Sequence, residues 1–114
     1  EDIESAYALA EQSMSSLNRT AARLMHTHGA HGATDVTGFG LLGHARNLAL
    51  CQKEAVSFRI HTFPVIHHMC LVDKTVSFSL REGFSAETSG GLLVLLPSRS
   101  AADAFIGDLK TLHD

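Results

Sequence analysis

Asp35 is the residue of this 114-residue chain with the clearest capacity for chemistry. It stands in the run Ala33-Thr34-Asp35-Val36-Thr37-Gly38-Phe39-Gly40-Leu41-Leu42-Gly43-His44, where a short β-type segment gives way to a glycine-spaced turn and then to a helical pattern. That order can hold a cation and a phosphate side by side. The carboxylate supplies negative charge to the cation. Free backbone N–H groups at the start of the following helix face an anion, and the helix dipole favours it there. The dipole contributes only about 0.3–1 kcal/mol per charge, so most of the binding must come from the metal and from other groups. Magnesium takes hard oxygen ligands in octahedral geometry, usually one or two carboxylates with water and substrate phosphates. Asp35 therefore cannot make a whole site alone. The same residue type before Val-Thr-Gly also serves as a helix N-cap or a turn residue, and spacing does not choose between these roles. Thr34 and Thr37 are candidate phosphate donors or structural strand-end threonines. Gly38, like Gly40 and Gly43, permits close backbone approach.

Other motifs are less specific. Gly38, Gly40 and Gly43 match Gly-x-Gly-x-x-Gly. That dinucleotide fingerprint expects a long buried strand before it and an acidic residue about 20 positions after it. Here the preceding segment is short and polar, and Glu54 lies 16 positions beyond Gly38, so a dinucleotide site is not the reading. Glu87-Thr88-Ser89-Gly90-Gly91 is a second polar turn, which either approaches a phosphate or another subunit through its backbone or simply starts a strand. Of the eight histidines, His26, His28 and His31 gather at a helix end, where imidazolium favours the dipole. His67 and His68 are adjacent and should point apart on a helix. Zinc needs three or four converging ligands, so all are read as structural or surface residues. His44, one turn into the helix after Asp35, is the exception worth following. Cys51 and Cys70 sit in apolar helical contexts and are read as reduced core residues, which fits a cytosolic location. No nucleophile–base pair is legible, and no catalytic residue is assigned.

The elements that must position these groups follow from periodicity. Ile3, Tyr7, Ala10, Met14, Leu17, Ala21 and Leu24 repeat at steps of four and three, which predicts one core-packing helix of about seven turns, ended by Gly29 and Gly32. Ala33–Thr37 is β-like. A second helix runs from Gly38 to about Gln52. Val56–Ile60 alternates and reads as a half-buried strand. Pro64 opens a third helix to about Val72. Val76, Phe78 and Leu80 alternate weakly, and residues 73–86 resist placement. Leu92–Leu96 is a buried strand stopped by Pro97, and Ser98 or Ser100 caps a last helix, with Asp103 completing a capping box after Ser100. The stripe of that helix is Ala101, Phe105, Leu109 and Leu112.

One domain over residues 1–114 fits this length. With 45% apolar and 18% charged residues and a formal charge of −3, the chain has no basic stripe for nucleic acid. No apolar stretch approaches the roughly 20 residues a bilayer requires. Low charge implies that one face meets a partner or another domain. Both ends interrupt helical patterns, which implies a piece of a longer protein.

The run Ala33–His44 resembles the selenophosphate synthetase (selenide, water dikinase) family more specifically than its aminoimidazole ribonucleotide synthetase and hydrogenase-maturation relatives. Leu17–Ala22 with Leu24–Thr27, Val56–Phe58 with Ile60, His61 and Pro64, and Glu87–Leu93 look like the eukaryotic form. The resemblance is weakest between Cys70 and Phe84. It implies the C-terminal half of a two-domain enzyme: an α+β domain with helices packed on one face of a mixed sheet, lacking that family's closing strand. It implies ATP-dependent phosphorylation of selenide to selenophosphate, with AMP and phosphate as co-products. Magnesium and ATP would be the cofactors, with Asp35 as the metal ligand from this half and Thr34, Thr37 and Gly38 beside the nucleotide. The partners would be ATP, selenide, the N-terminal half with its reactive selenocysteine or cysteine, and a second copy in a homodimer. The isolated chain would be inactive. A non-catalytic interaction module of the same fold, or a sister ATP-dependent synthetase, are the alternatives.

Overall fold

The computed structural model describes residues 1–76, 80, 82–85 and 89–112, with backbone alone at 71, 72, 75 and 76. Phe78, Glu87 and Thr88, which figured in the expectations above, lie outside the described residues. Five helices and two strands follow in the order α1 (Asp2–Ser15), α2 (Arg19–Thr27), β1 (Gly32–Val36), α3 (Gly40–Leu50), α4 (Met69–Val76), β2 (Gly91–Leu95) and α5 (Arg99–Leu112).

The single long helix expected at the start is two helices. The apolar stripe runs on, but serines interrupt it. Ser15 Oγ donates to Gln12 O at 2.7 Å and the Ser16 N–H donates to Ser13 O at 3.2 Å. Such local bonds compete with the helical ladder, and Ser16 leaves it in an extended conformation. Asp2 and Glu4 in the first turn of α1 suit its dipole. Of the predicted stripe, only Ala10 and Leu24 are buried, whereas Ile3, Tyr7, Met14 and Leu17 are exposed. The face that α1 buries carries Ala6 and Ala10, packed with Met69 and Leu80 and flanked by Val65 and Ile66. Gly29 ends α2 at φ +67°. Its N–H donates to His26 O and that of Ala30 to Met25 O, the paired bonds of a Schellman cap.

β1 and β2 pair antiparallel, Gly32 opposite Leu95 and Asp35 opposite Leu92. The α+β class stands, and this pair is antiparallel rather than mixed among the described residues. Alternation puts Gly32 and Leu95 on one face, against Leu48 of α3. Leu92 and Val94, on the other, line a depression with Leu17, Ala21, Phe105 and Leu109 from α2 and α5. Helices therefore flank both faces of the pair. α2 and α5 are joined by His28, whose Nε2 lies 2.7 Å from Asp108 Oδ2 and whose ring meets Phe105 edge-on at 6.0 Å.

Three further expectations are corrected. Val56–Ile60 forms no strand but part of an irregular connection over 52–66, because no neighbouring strand edge receives it among the described residues. The third helix starts at Met69 rather than Pro64: His67 and His68 form a turn, and His68 takes φ +66°. Their rings therefore approach to 3.7 Å instead of pointing apart. Cys51 and Cys70 are free thiols, but exposed rather than core; Cys51 closes the end of α3 and Cys70 lies in the first turn of α4. The last helix is capped by Ser98, whose Oγ accepts the Ala101 N–H at 3.1 Å. Ser100 hydrogen-bonds Ser98 instead of capping.

Candidate functional site at the β1–α3 junction

Asp35 lies inside β1, one residue before its end, and is exposed. It does not cap α3, whose N-cap position is Phe39, without a side-chain bond. Its carboxylate makes no hydrogen bond or ion pair among the described residues. The local turn role is thus not the one it plays, and a hard oxygen donor faces out of the sheet. Its chain neighbour Val36 and cross-strand partner Leu92 help to line a cleft of about 410 Å³, together with Phe63, Pro64 and Ile66. The end of the pair next to Asp35 is fastened: Gly90 N–H donates to Val36 O at 3.0 Å, and Asn18 Nδ2 donates to Gly90 O.

Beyond Val36 the chain turns through Thr37, Gly38 and Phe39. The Thr37 N–H donates to His44 Nε2 at 3.0 Å, and Thr37 Oγ1 lies 3.0 Å from the same nitrogen. A ring nitrogen that accepts an N–H carries no proton of its own. The hydroxyl is therefore the donor there too. Phe39 meets the His44 ring edge-on at 5.6 Å. Thr34 Oγ1 donates to Asp35 O at 3.0 Å, so both candidate threonines spend their hydroxyl hydrogens on this chain. Gly38 stands in open space, with nothing within 4 Å of where a Cβ would be.

The expectation that the N-terminus of α3 offers free N–H groups to an anion is corrected for two of them. Gly40 N–H donates to Thr37 O at 3.0 Å and Leu42 N–H to Gly83 O at 2.9 Å. The 83–85 loop sits on this helix end so closely that a Cβ at Gly40, already at φ +76°, would lie 2.5 Å from Ser85 N and 2.6 Å from Gly83 O. Gly40 is there for that approach. The turn at Gly38, by contrast, is open.

No three His, Cys, Asp or Glu side chains converge on a possible metal position among the described residues. His44 was visible in sequence as a position one turn into the helix. The Gly83 contact was not, since it comes from the stretch without periodicity, and neither was the reach of Asn18 across to Gly90. No helix among the described residues is long and apolar enough to cross a membrane.

Comparison with known proteins gives these groups a context. The chain is 54% identical over 112 residues to a mouse protein named selenide, water dikinase 2, covering 97% of this chain and 25% of that one. It is 50% identical over 111 residues to a fruit-fly (Drosophila melanogaster) protein of that name, covering 96% and 30%. It is 49% identical over 111 residues to the selenide, water dikinase of Trypanosoma brucei, covering 96% and 28%. The chain thus spans a quarter to under a third of the length of these relatives. A family model described as AIR synthase related protein, C-terminal domain, matches residues 2–113. The chain belongs to the AIR synthase related C-terminal domain family.

Proposed function

We propose that this chain forms part of an ATP-dependent enzyme that phosphorylates selenide to selenophosphate, releasing AMP and phosphate, and that Asp35 is its contribution to the magnesium site. The reading is supported by the relatives' name and carried by one observation: an exposed carboxylate, without a partner among the described residues, at the mouth of a turn. The donor chemistry fits. Magnesium takes hard oxygens and one or two carboxylates from protein, and Asp35 offers one. When bound, the ion neutralises charge on the transferring phosphates.

This chain's residues hold that carboxylate in place. β1 is paired with β2, Gly90 and Asn18 fasten the strand end, and His44 holds Thr37. Gly38 leaves the turn open to a phosphate oxygen, and Thr37, two residues after Asp35, keeps an oxygen lone pair for ion-bound water, whereas Thr34 points to the opposite face of the strand. The remaining ligands, the reactive residue and the rest of the nucleotide site belong to the N-terminal part of the enzyme. Exposed Ile3, Tyr7, Met14 and Leu17 supply apolar surface for packing on it. The working protein is a cytoplasmic homodimer, and residues 1–114 are one domain of it.

The test is selenide-dependent formation of AMP from ATP. The full-length protein turns over, its Asp35→Ala variant nearly loses activity while folding normally, and the isolated chain is inactive. Near-normal turnover by Asp35→Ala removes Asp35 from the site, and turnover by the isolated chain removes the need for the other half. Turnover of the full-length protein with an acceptor other than selenide would make it a sister synthetase.

A further inference from the structure

We propose that His44 is a positioning residue for the Asp35 carboxylate, an inference that rests on the reading just given. Its Nε2 accepts both the Thr37 N–H and the Thr37 hydroxyl, each at 3.0 Å. Thr37 is the second residue after Asp35 and the first outside β1. The strand ladder constrains Asp35 from one side, through the β1–β2 pairing and the Gly90–Val36 bond. On the other side the chain enters a turn in which a Cβ at Gly38 would meet nothing within 4 Å. The two bonds to His44 anchor that turn to α3.

The imidazole is itself held. It is half-buried, its backbone is in the second turn of α3, and Phe39 packs edge-on against it at 5.6 Å. α3 is pinned in turn by the Leu42 N–H bond to Gly83 O and by the fit of Gly40 under Ser85. A connected path of bonds therefore runs from the 83–85 loop through α3 and His44 to the exit of β1. Small displacements of a ligand matter, because magnesium tolerates little departure from octahedral geometry and ligand supports commonly change metal affinity 10–100-fold.

Substitutions in the full-length protein test this. Gln reaches about as far as the histidine Nε2 and keeps an acceptor there; Ala and Phe do not. Two quantities are read: hydrogen exchange of the Thr37 amide, and binding of Mn²⁺, as a magnesium substitute, by electron paramagnetic resonance with the ATP analogue AMPPNP present. We expect His44→Ala and His44→Phe to speed Thr37 exchange at least about tenfold and to weaken Mn²⁺ about tenfold. His44→Gln should restore most of both, and thermal midpoints should not track the Mn²⁺ loss. Unchanged Thr37 exchange in His44→Ala overturns the proposal. So does faster exchange with unchanged Mn²⁺ affinity, provided Asp35→Asn abolishes binding, and in that case the reading of Asp35 survives. If Asp35→Asn itself leaves Mn²⁺ binding intact, that reading fails first and the positioning role falls with it.

Discussion

The β1–α3 junction and the outer face of α1 differ in kind, though both look incomplete. At the junction nearly every polar group is engaged: Thr34, Thr37, Gly40, Leu42 and His44 all make bonds. Among the described residues the Asp35 carboxylate stands apart without one. On α1 the polar residues are ordinary and the apolar ones stand out, with Tyr7 57% and Met14 49% exposed. An exposed carboxylate beside a hydrogen-bonded frame suits the ion proposed above. A stripe of uncovered apolar side chains points to a surface for protein packing. Rigidity matters to the first and little to the second, since a ligand must be held to fractions of an ångström while an apolar face needs only shape and area.

The largest effect should come from the carboxylate itself. Asp35→Asn in the full-length protein should lower selenide-dependent turnover by at least about 100-fold, since metal stabilisation of transferring phosphate is worth several kcal/mol. Its thermal stability should barely move, as expected for an exposed side chain. Turnover within a few-fold of wild type would erase the contrast between the two regions.

Next comes the frame. Gly40→Ala places a methyl against Gly83 O and Ser85 N at a positive φ, so it should destabilise the domain by about 2–3 kcal/mol, measured by urea unfolding. A loss below about 0.5 kcal/mol would mean the 83–85 loop does not brace α3. A smaller loss, about 1 kcal/mol, is expected for Ser98→Ala, which removes the α5 cap and touches neither region; it calibrates the others.

The smallest effect belongs to α1. Tyr7→Gln with Met14→Gln should change the stability of the isolated domain by less than about 0.5 kcal/mol, yet lower the unfolding midpoint of the full-length protein. Equal effects in both would show that α1 packs on nothing outside this chain.

Much of this was legible in sequence, and the failures have physical reasons. The β1–turn–α3 order, β2 and α5 carry strong local signals: a glycine-spaced turn, a continuous apolar run, and a proline followed by serine. Their boundaries came out within about two residues, save that Ser98 rather than Ser100 is the cap. The α1–α2 stripe misled because periodicity reports which face is apolar, not what covers it, and because Ser13, Ser15 and Ser16 carried a break that the stripe concealed. Val56–Ile60 alternates like a strand but lacks an edge to pair with among the described residues. At the site, Asp35 and His44 were visible by position. The closure of the α3 N-terminus by Gly83 depends on a contact 41 residues away, which no local pattern encodes.

The most direct measurement is a crystal structure of the full-length protein with Mg²⁺ and AMPPNP. The account predicts an Asp35 carboxylate oxygen in the first coordination shell at about 2.1 Å from the ion, beside phosphate oxygens, water and ligands from the N-terminal part. An ion fully coordinated without Asp35, or Asp35 turned away in a salt bridge with another domain, would contradict it.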